Sequence, residues 1–323
     1  MTTTATRQTS GPVLLDLSHT VQAPFFTARQ TWRNSAGFPK HSLSDQGLRT
    51  SYAVEQVLYE MQTDHQHLVL FENRLFGKML MLDGATQVTT RDEFIYHEMM
   101  THVPILAHGE AREVLIVGGG DCGIAEEVLK HRAVARLTQV EIDAAVVEFS
   151  KQHFPQFAGP VLSDPRFDLV IDDGMNFVRR TDRRFDVIIV DSTDPQGPGA
   201  VLFTAAFYAA CRDRMASRAV MVTQNGVPFL QPAELAASIG HLQKLFADAT
   251  CYIAAIPTYV GGHMAIGWAA TDPALRRVAV EILSQRYAAA GRFLTKYWTP
   301  EVQCAAFALP RFIAEIVEQA KQT

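Results

Sequence analysis

The sequence has few of the features that mark metal, membrane and nucleic-acid-binding proteins. Its four cysteines are dispersed, with no CxxC pair and no histidine cluster at ligand spacing, which argues against a metal site and predicts free thiols. No apolar run approaches the roughly 20 residues that span a bilayer, and the N-terminus carries no apolar core of a signal peptide. Lysine and arginine form no block, and the formal net charge is −5. We therefore expect a cytoplasmic protein with no metal, no membrane and no nucleic acid as its partner.

The N-terminal third of the chain contains two segments with different sequence patterns. Residues 1–47 carry scattered Ser, Thr, Gly, Pro and Arg, which predicts a disordered or extended segment. Residues 48–108 form a predicted β domain with a linking helix. Its strand-like patterns, separated by turn residues, predict a small antiparallel sheet and cover 52–61, 67–72, 78–82 and 85–90. The helical pattern runs over 93–107, with Asp92 as its N-cap, and Pro104 should bend or end it.

From residue 109 to 323, apolar strand patterns alternate with helical ones. Together with the turn or acidic residues that end them, the strand patterns cover 113–123, 135–143, 167–174, 185–194 and 219–226. Strands that alternate with helices imply a parallel sheet covered on both faces. We therefore predict an α/β protein, in which a Rossmann-like catalytic domain follows the small N-terminal antiparallel β domain.

A glycine turn and an acid indicate what this sheet binds. Gly118, Gly119 and Gly120 directly follow the first strand, and Glu141 lies at the end of the next one. Glycines there allow a tight turn close to a ligand, and a carboxylate at the second position can hold the ribose hydroxyls of an adenosine. Asp121 would repel a pyrophosphate and attract a sulfonium or an ammonium. The pattern favours a sheet of the S-adenosylmethionine-dependent-transferase type over an NAD site.

More acids follow the later strands. Asp172 and Asp173 end one strand, and Asp191, with Asp194 three residues on, ends another. Ligands of open α/β sheets bind at these carboxyl ends. Asp172 suits a helix cap as well as a ligand site, whereas the loop DSTDPQGPG begins no helix. Four or more acids in one crevice repel one another, so they predict a cationic substrate such as a diamine.

Several runs together resemble one enzyme family. The spermidine synthases, most closely the bacterial type, are similar over residues 45–315 in the runs YHEMMTHVP, VLIVGGGDCG, VEID, DPRFDLVIDDGMNFV, DSTDPQGPG and QNGVPFLQ. The resemblance implies that the aminopropyl group of decarboxylated S-adenosylmethionine is transferred to putrescine by direct displacement, giving spermidine and methylthioadenosine. That donor is a co-substrate, and the family needs no tightly bound cofactor and no metal. The resemblance also suggests a homodimer whose partner is a small-molecule polyamine.

The resemblance also implies roles for single residues. Asp191 would be the general base that takes a proton from the attacking amine. Residues that would bind the diamine or the aminopropyl group are Tyr96, His97, Asp121, Asp194 and Tyr259. Residues that would bind the adenosine part of the donor are Gln66, Gly118, Gly120, Glu141, Asp173, Gly174 and Pro198. Without the resemblance, Tyr96 and His97 are only polar residues on a helix, and Gln66 draws no notice.

Three other functions stay open at this point. Another aminopropyltransferase would accept cadaverine, agmatine or spermidine, and sequence spacing does not distinguish these acceptors. An N-methyltransferase on the same scaffold would use intact S-adenosylmethionine, whose carboxylate Asp121 would repel. A non-catalytic binding protein would need no base, so the presence of both Asp191 and Asp194 argues against it.

Four positions depart from the family pattern. Cys122 follows the glycine turn where the family has glycine, and it loses conformational freedom if the turn needs a positive φ. Glu126 replaces the usual arginine of the next helix and would change a local ion pair. Val260 and His263 lie in the IPTYVGGH run, which borders the diamine channel in the family. These last two bear on the choice of acceptor more than on the reaction.

The variant Asp121→Asn tests the predicted role of this carboxylate. We expect weaker binding of the donor or poorer use of the diamine, because the variant loses the charge that attracts an ammonium. Steady-state kinetics with each substrate varied in turn measure both effects. Unchanged constants for the two substrates would show that Asp121 has been misplaced.

Overall fold

The computed structural model describes residues 13–14, 50, 52–193, 195 and 197–322. The chain forms two compact units, which are divided between Asp92 and Glu93. The predicted disordered or extended segment lies outside the described residues, apart from its two-residue strand at 13–14.

The N-terminal unit contains the antiparallel sheet that the alternating patterns predict. Its four main strands pair in chain order: β3 (Gln56–Gln62), β4 (His67–Asn73), β5 (Gly77–Leu82) and β6 (Ala85–Thr89), while β1 (Val13–Leu14) pairs antiparallel with β2 (Ala53–Val54). Val69 lies opposite Met81, and Phe71 lies opposite Met79. These four side chains are buried and form one small core, because residues two apart on a strand share a face.

The second unit contains a seven-stranded sheet. Its strands are β7 (Glu113–Gly118), β8 (Arg136–Glu141), β9 (Phe167–Ile171), β10 (Phe185–Asp191), β11 (Met215–Gln224), β12 (Asp248–Ala255) and β13 (His263–Ala270). Their order in the sheet is β12-β13-β11-β10-β7-β8-β9. Strands β7 to β11 are parallel, and β13 and β12 add an antiparallel edge. The Rossmann-like prediction is confirmed, and the strand order reverses between β7 and β10, where such sheets bind ligands.

Helices cover both faces of this sheet. They are α1 (Glu93–His108), α2 (Gly123–Leu129), α3 (Ala144–His153), α4 (Pro155–Ser163), α5 (Gly174–Arg180), α6 (Ala205–Arg212), α7 (Pro232–Leu245), α8 (Val280–Ala290), α9 (Pro300–Ala306) and α10 (Arg311–Gln319). Successive residues of β7 belong to different cores: Ile116 packs with Met99 of α1, and Leu115 packs with Phe207 of α6 and Leu235 of α7. A strand buried on both faces is apolar, as the VLIV run at 114–117 is.

Helix α1 belongs to the second unit, whereas the sequence analysis placed it with the β domain that ends at 108. Met99 and Val103 are fully buried in the core of the second unit, and this packing puts the division before α1. Pro104 does not end the helix, which continues to His108. The burial of α1 against the sheet outweighs the backbone hydrogen bond that a proline cannot donate.

Polar contacts from the C-terminal segment hold α1 in place. The buried Glu98 carboxylate accepts hydrogen bonds of 2.7–2.9 Å from the backbone N–H groups of residues 296–298. At the end of the helix, the Arg286 guanidinium donates to the carbonyls of Leu106 and Ala107 at 2.8 and 2.6 Å. These bonds satisfy carbonyls that a helix end leaves unpaired, and they fix the helix that carries part of the site described below.

Two further findings bear on the composition-based predictions. Cys122, Cys211 and Cys251 are buried free thiols, and Cys304 is an exposed one. Within the described ranges, none of the helices combines the length and the apolar character that a membrane crossing requires.

The close approach of β7 and β10 predicts a large effect of one substitution. Gly118 has a φ of +88°, and a Cβ atom there would lie 1.9 Å from the backbone carbonyl oxygen of Asp191. We expect Gly118→Ala to lower the free energy of unfolding by at least about 2 kcal/mol, because both the conformation and the contact become unfavourable. Chemical denaturation measures this difference.

Gly262 provides the matched control. It also has a positive φ of +106°, but a Cβ atom there meets nothing within 4 Å. Gly262→Ala should therefore lose only the conformational term, about 1–2 kcal/mol. Equal losses in the two variants would contradict the steric argument.

Candidate active site

The site begins where β7 and β10 end side by side. Asp191, the last residue of β10, is in register with Gly118, the last residue of β7. The buried Gln139 amide of β8 donates hydrogen bonds to the carbonyls of Gly118 and Gly119 at 3.1 and 2.5 Å. A Cβ atom at Gly119 would lie 3.2 Å from Oδ2 of Asp191. The glycine turn is thus fixed from one side and faces the Asp191 carboxylate on the other.

Two carboxylates, one at the end of β10 and one in the loop after β7, share this crevice. Asp121 follows the glycine turn, and its Oδ1 accepts a 2.9 Å hydrogen bond from the N–H of Gly123. Burial and, to a smaller extent, the nearby charge of Asp121 raise the pKa of Asp191 to about 6, against the hydrogen bond from Tyr96 and the charge of His97, which lower it. Asp191 is therefore ionised at neutral pH, and it is a stronger base than an ordinary aspartate.

Tyr96 of α1 forms a hydrogen bond with the Asp191 carboxylate. Its hydroxyl donates a 2.6 Å hydrogen bond to Oδ1 of Asp191. Burial raises the pKa of Tyr96 well above its ordinary value, and the Asp191 charge adds to this effect, so the hydroxyl keeps its proton. The ring of Tyr259 packs edge-on against Tyr96, with the ring centroids 6.0 Å apart. The predicted diamine residues Tyr96 and Tyr259 thus lie together beside Asp191.

His97, the next residue of α1, lies between two carboxylates. Its Nδ1 is 2.9 Å from Oε2 of Glu93, and its Nε2 is 3.3 Å from Oδ2 of Asp121. Burial lowers the pKa of His97, but the charges and hydrogen bonds of Asp121 and Glu93 outweigh burial and raise this pKa well above its ordinary value. The imidazole is therefore an imidazolium at neutral pH, with both N–H groups donating.

Glu141 lies at the end of β8, as the sequence predicts. It is 7% exposed, and its Oε1 accepts a 2.9 Å hydrogen bond from the N–H of Asp143. Burial raises the pKa of Glu141 to about 7, although that hydrogen bond opposes the shift. A Cβ atom at Gly120 would lie 3.0 Å from Oε2 of Glu141, which shows how close the glycine turn comes to this carboxylate. A ribose that binds Glu141 would favour the ionised form.

Asp173 and Gly174 lie at the start of α5, after β9. One carboxylate oxygen of Asp173 accepts a 2.8 Å hydrogen bond from the N–H of Asn176 and caps the helix. Gly174 packs closely, since a Cβ atom there would lie 2.4 Å from Val117. The Asp172 carboxylate pairs with Arg180, and the helix cap that the sequence offered for Asp172 is made by Asp173 instead. The capping role of Asp173 leaves its second oxygen for a ligand, and adenine recognition stays a prediction.

Three further predicted residues belong to other parts of the chain. Asp194 lies outside the described residues. Pro198 is the second residue of the 3₁₀ helix Gly197–Phe203. Gln66 lies in the N-terminal unit, in the turn between β3 and β4, where its N–H bonds to Oγ1 of Thr63 at 3.0 Å. Their roles toward the diamine and the nucleoside stay predictions.

The departures from the family pattern have clear structural settings. Cys122 adopts the left-handed conformation, with a φ of +67°, which costs a non-glycine residue about 1–2 kcal/mol; its thiol is fully buried. Glu126 forms an ion pair with Lys130 at 3.2 Å. His263 is the first residue of β13 and pairs with Ala255 of β12, and Val260 lies in the loop just before that strand.

Sequence reasoning missed two residues that shape the site. Glu93 precedes His97 by four residues, and this spacing places the two side chains on one face of a helix, so it could have been found from the helical pattern. Gln139 is the second residue before Glu141 on β8 and shares its strand face. Its position two residues before the strand-end acid, on the same strand face, was the available signal.

Two family models match the chain. The model described as spermine/spermidine synthase domain matches residues 93–278. The model described as spermidine synthase tetramerisation domain matches residues 40–90.

Known proteins show the same likeness over most of their length. A polyamine aminopropyltransferase from Pseudomonas syringae pv. tomato is 50% identical over 275 residues, which is 85% of this chain and 96% of that protein. A polyamine aminopropyltransferase from Ruegeria sp. is 53% identical over 266 residues, 82% of this chain and 93% of that protein. A crystal structure of a spermidine synthase with the transition-state analogue AdoDATO has a TM-score of 0.79 at 34% identity, covering 84% of this chain and 92% of that one. The spermidine synthase of Thermotoga maritima has a TM-score of 0.78 at the same identity, covering 84% and 91%.

The Tyr96–Asp191 hydrogen bond predicts a shift in the titration of Asp191. This bond lowers the pKa of Asp191, so Tyr96→Phe should raise that pKa above about 6. A ¹³C NMR titration of the aspartate carboxyl groups measures it. Tyr208→Phe is the control, because it removes a buried 2.7 Å hydrogen bond to Ser238 in the other core. An Asp191 pKa that stays the same or falls in Tyr96→Phe would contradict the arrangement.

Proposed function

The chain belongs to the spermine/spermidine synthase family, and from this premise we propose that it transfers the aminopropyl group of decarboxylated S-adenosylmethionine to putrescine. Its relatives are named for the general activity, that of a polyamine aminopropyltransferase. The finer proposal concerns the donor, the acceptor and the residues that act on them.

The observation that carries the proposal is the environment of Asp191. It ends β10 beside the glycine turn, accepts a hydrogen bond from Tyr96, and has its pKa raised to about 6 by burial and by Asp121. An alkylammonium has a pKa near 10 and is no nucleophile until it loses a proton. A carboxylate of raised basicity at the reaction centre supports proton acceptance, which is typically worth about 10²–10⁴ in rate.

The proposed step is a single displacement. The attacking ammonium of putrescine gives a proton to Asp191, and the freed nitrogen lone pair forms a bond to the methylene carbon next to the sulfonium. The C–S bond breaks, its electron pair goes to sulfur, and neutral methylthioadenosine leaves. Asp191 later passes the proton to solvent. Since the sulfonium is a good leaving group, the contribution of the protein is alignment and proton acceptance.

The site also supports the choice of donor. Glu141, at the end of β8, would accept hydrogen bonds from the ribose hydroxyls. Asp121 carries a charge that attracts the ammonium of the aminopropyl group, and it would repel the extra carboxylate of intact S-adenosylmethionine. Decarboxylated S-adenosylmethionine fits these charges as a co-substrate, and methylthioadenosine fits as the product.

The assembly and location are part of the same proposal. The match of residues 40–90 to a tetramerisation domain supports an oligomer. We propose that its basic unit is a homodimer and that the protein is cytoplasmic. Its partner is a small-molecule polyamine, with no nucleic acid involved.

The decisive experiment is an assay of the purified protein with decarboxylated S-adenosylmethionine and each of putrescine, cadaverine, agmatine and spermidine. Release of methylthioadenosine, followed by chromatography, should be fastest with putrescine. Faster release with another amine would change the acceptor and keep the reaction. Methylated amine from intact S-adenosylmethionine, with no release of methylthioadenosine from the decarboxylated donor, would contradict the proposal.

Two variants test the role of the base. Asp191→Asn should retain methylthioadenosine binding and lower kcat by about 10² or more, because no carboxylate is left to accept the proton. Asp213→Asn is the control, since Asp213 is exposed and pairs only locally with Arg212. Near-normal turnover in Asp191→Asn would show that another group is the base.

A further inference from the structure

A row of three charged side chains crosses from α1 to the glycine turn. Glu93, His97 and Asp121 are joined in that order by contacts of 2.9 and 3.3 Å. All three lie deep in the protein, with side-chain exposures of 10%, 3% and 14%. Glu93 is in the first turn of α1 and faces away from the crevice end of the row, so the family-implied roles of His97 and Asp121 do not explain it.

The surroundings of His97 fix its ring. A Cβ atom at Gly123 would lie 2.1 Å from Cε1 of His97, so the ring lies flat against the start of α2. Phe157 of α4 meets it edge-on at 6.0 Å between centroids. Packed in this way, the ring cannot turn away from either carboxylate without disturbing the core.

The charges that face this ring are all negative. Glu93 faces it from its own helix and Asp121 from the loop after β7, and Asp191 of β10 acts at longer range. Phe157 and Gly123 contribute no charge from α4 and α2. A carboxylate at each ring nitrogen can only accept a hydrogen bond, so both nitrogens are held in their protonated, donating form.

We propose that Glu93 is a positioning residue that holds His97 as an imidazolium against Asp121, and that this resident cation gives up its proton when a substrate ammonium binds there. The inference rests on the proposed function, which brings an ammonium to Asp121. In the free protein the imidazolium satisfies the Asp121 carboxylate. Once an ammonium arrives, two cations face one carboxylate at short range, and that repulsion favours neutral His97.

The proton balance of this exchange is simple. His97 loses its Nε2 proton to solvent, its Nδ1 proton stays on the hydrogen bond to Glu93, and the free Nε2 lone pair can accept a hydrogen bond from the bound ammonium. One positive charge replaces another. Binding of the cationic donor therefore releases up to one proton, and its affinity rises with pH as long as free His97 is protonated.

The first test concerns the free protein. We expect ¹⁵N NMR of labelled histidine at pH 8, with His97 assigned by its loss in His97→Asn, to show both ring nitrogens protonated. In Glu93→Gln the amide oxygen can still accept from Nδ1, but the charge is gone, so Nε2 should lose its proton at a lower pH. A neutral His97 in the unmodified protein at pH 8, or an unchanged titration in Glu93→Gln, would overturn the proposal.

The second test measures binding of decarboxylated S-adenosylmethionine, without an amine, by calorimetry between pH 7 and pH 8.5. For the unmodified protein the affinity should rise by up to about tenfold per pH unit, with matching proton release in buffers of different ionisation enthalpy. In Glu93→Gln the rise should be less than about twofold per unit. Methylthioadenosine has no ammonium, so the pH dependence of its binding reports the titration of Glu141. This dependence is subtracted from that of the donor.

The matched control is Glu126→Gln, the same chemical change on α2, where Glu126 pairs with Lys130. It should keep the steep pH dependence of the unmodified protein. Equal pH slopes in Glu93→Gln and the unmodified protein would overturn the proposal. Failure of the decarboxylated donor to bind at any pH would instead overturn the proposed function, while the NMR titration still decides the role of Glu93.

Discussion

The structure depends on how closely β7 and β10 approach where both strands end. Only a residue without a Cβ atom fits at Gly118, because the carbonyl oxygen of Asp191 occupies that space. This contact places the Asp191 carboxylate beside the glycine turn and therefore near Asp121. The charge of Asp121 makes Asp191 harder to ionise, which contributes to the raised pKa of Asp191. The basicity that the proposed chemistry needs thus follows from a backbone packing constraint.

Helix α1 turns this acidic edge into an ordered site. Its consecutive residues Tyr96 and His97 reach two carboxylates, Asp191 at the end of β10 and Asp121 in the loop after β7. Two neighbouring positions of one helix can do this because α1 is buried on nearly all sides and cannot roll. Contacts far along the chain, such as Glu98 with the N–H groups of residues 296–298, hold the helix and so set the positions of both donors.

The acids at the strand ends could be predicted from sequence, because parallel strands bring their carboxyl ends to one edge whatever the loops do. The Rossmann-like sheet and the position of Glu141 follow from the same rule. Tyr96 and His97 could not be derived this way: helical periodicity does not say which side of a nearly all-buried helix meets the sheet edge, and only the family resemblance indicated them. The continuation of α1 past Pro104 has a related cause, since tertiary burial of the helix outweighs one missing backbone hydrogen bond; a bend at Pro104 stays a prediction.

Charge balance connects these observations. Glu93 and Asp121 flank the His97 imidazolium, and Asp191 and Glu141 end neighbouring parts of the same sheet edge, so the site favours cations and disfavours anions. A resident cation also lowers the cost of keeping such a site empty, because Asp121 has a partner before any substrate arrives. In the proposed exchange, the arriving ammonium pairs with Asp121 only when His97 loses a proton. Under the proposed function, a carboxylate on the donor would meet Asp121 with no comparable exchange available, so the residues proposed to bind the ammonium would select against the amino-acid form of the donor.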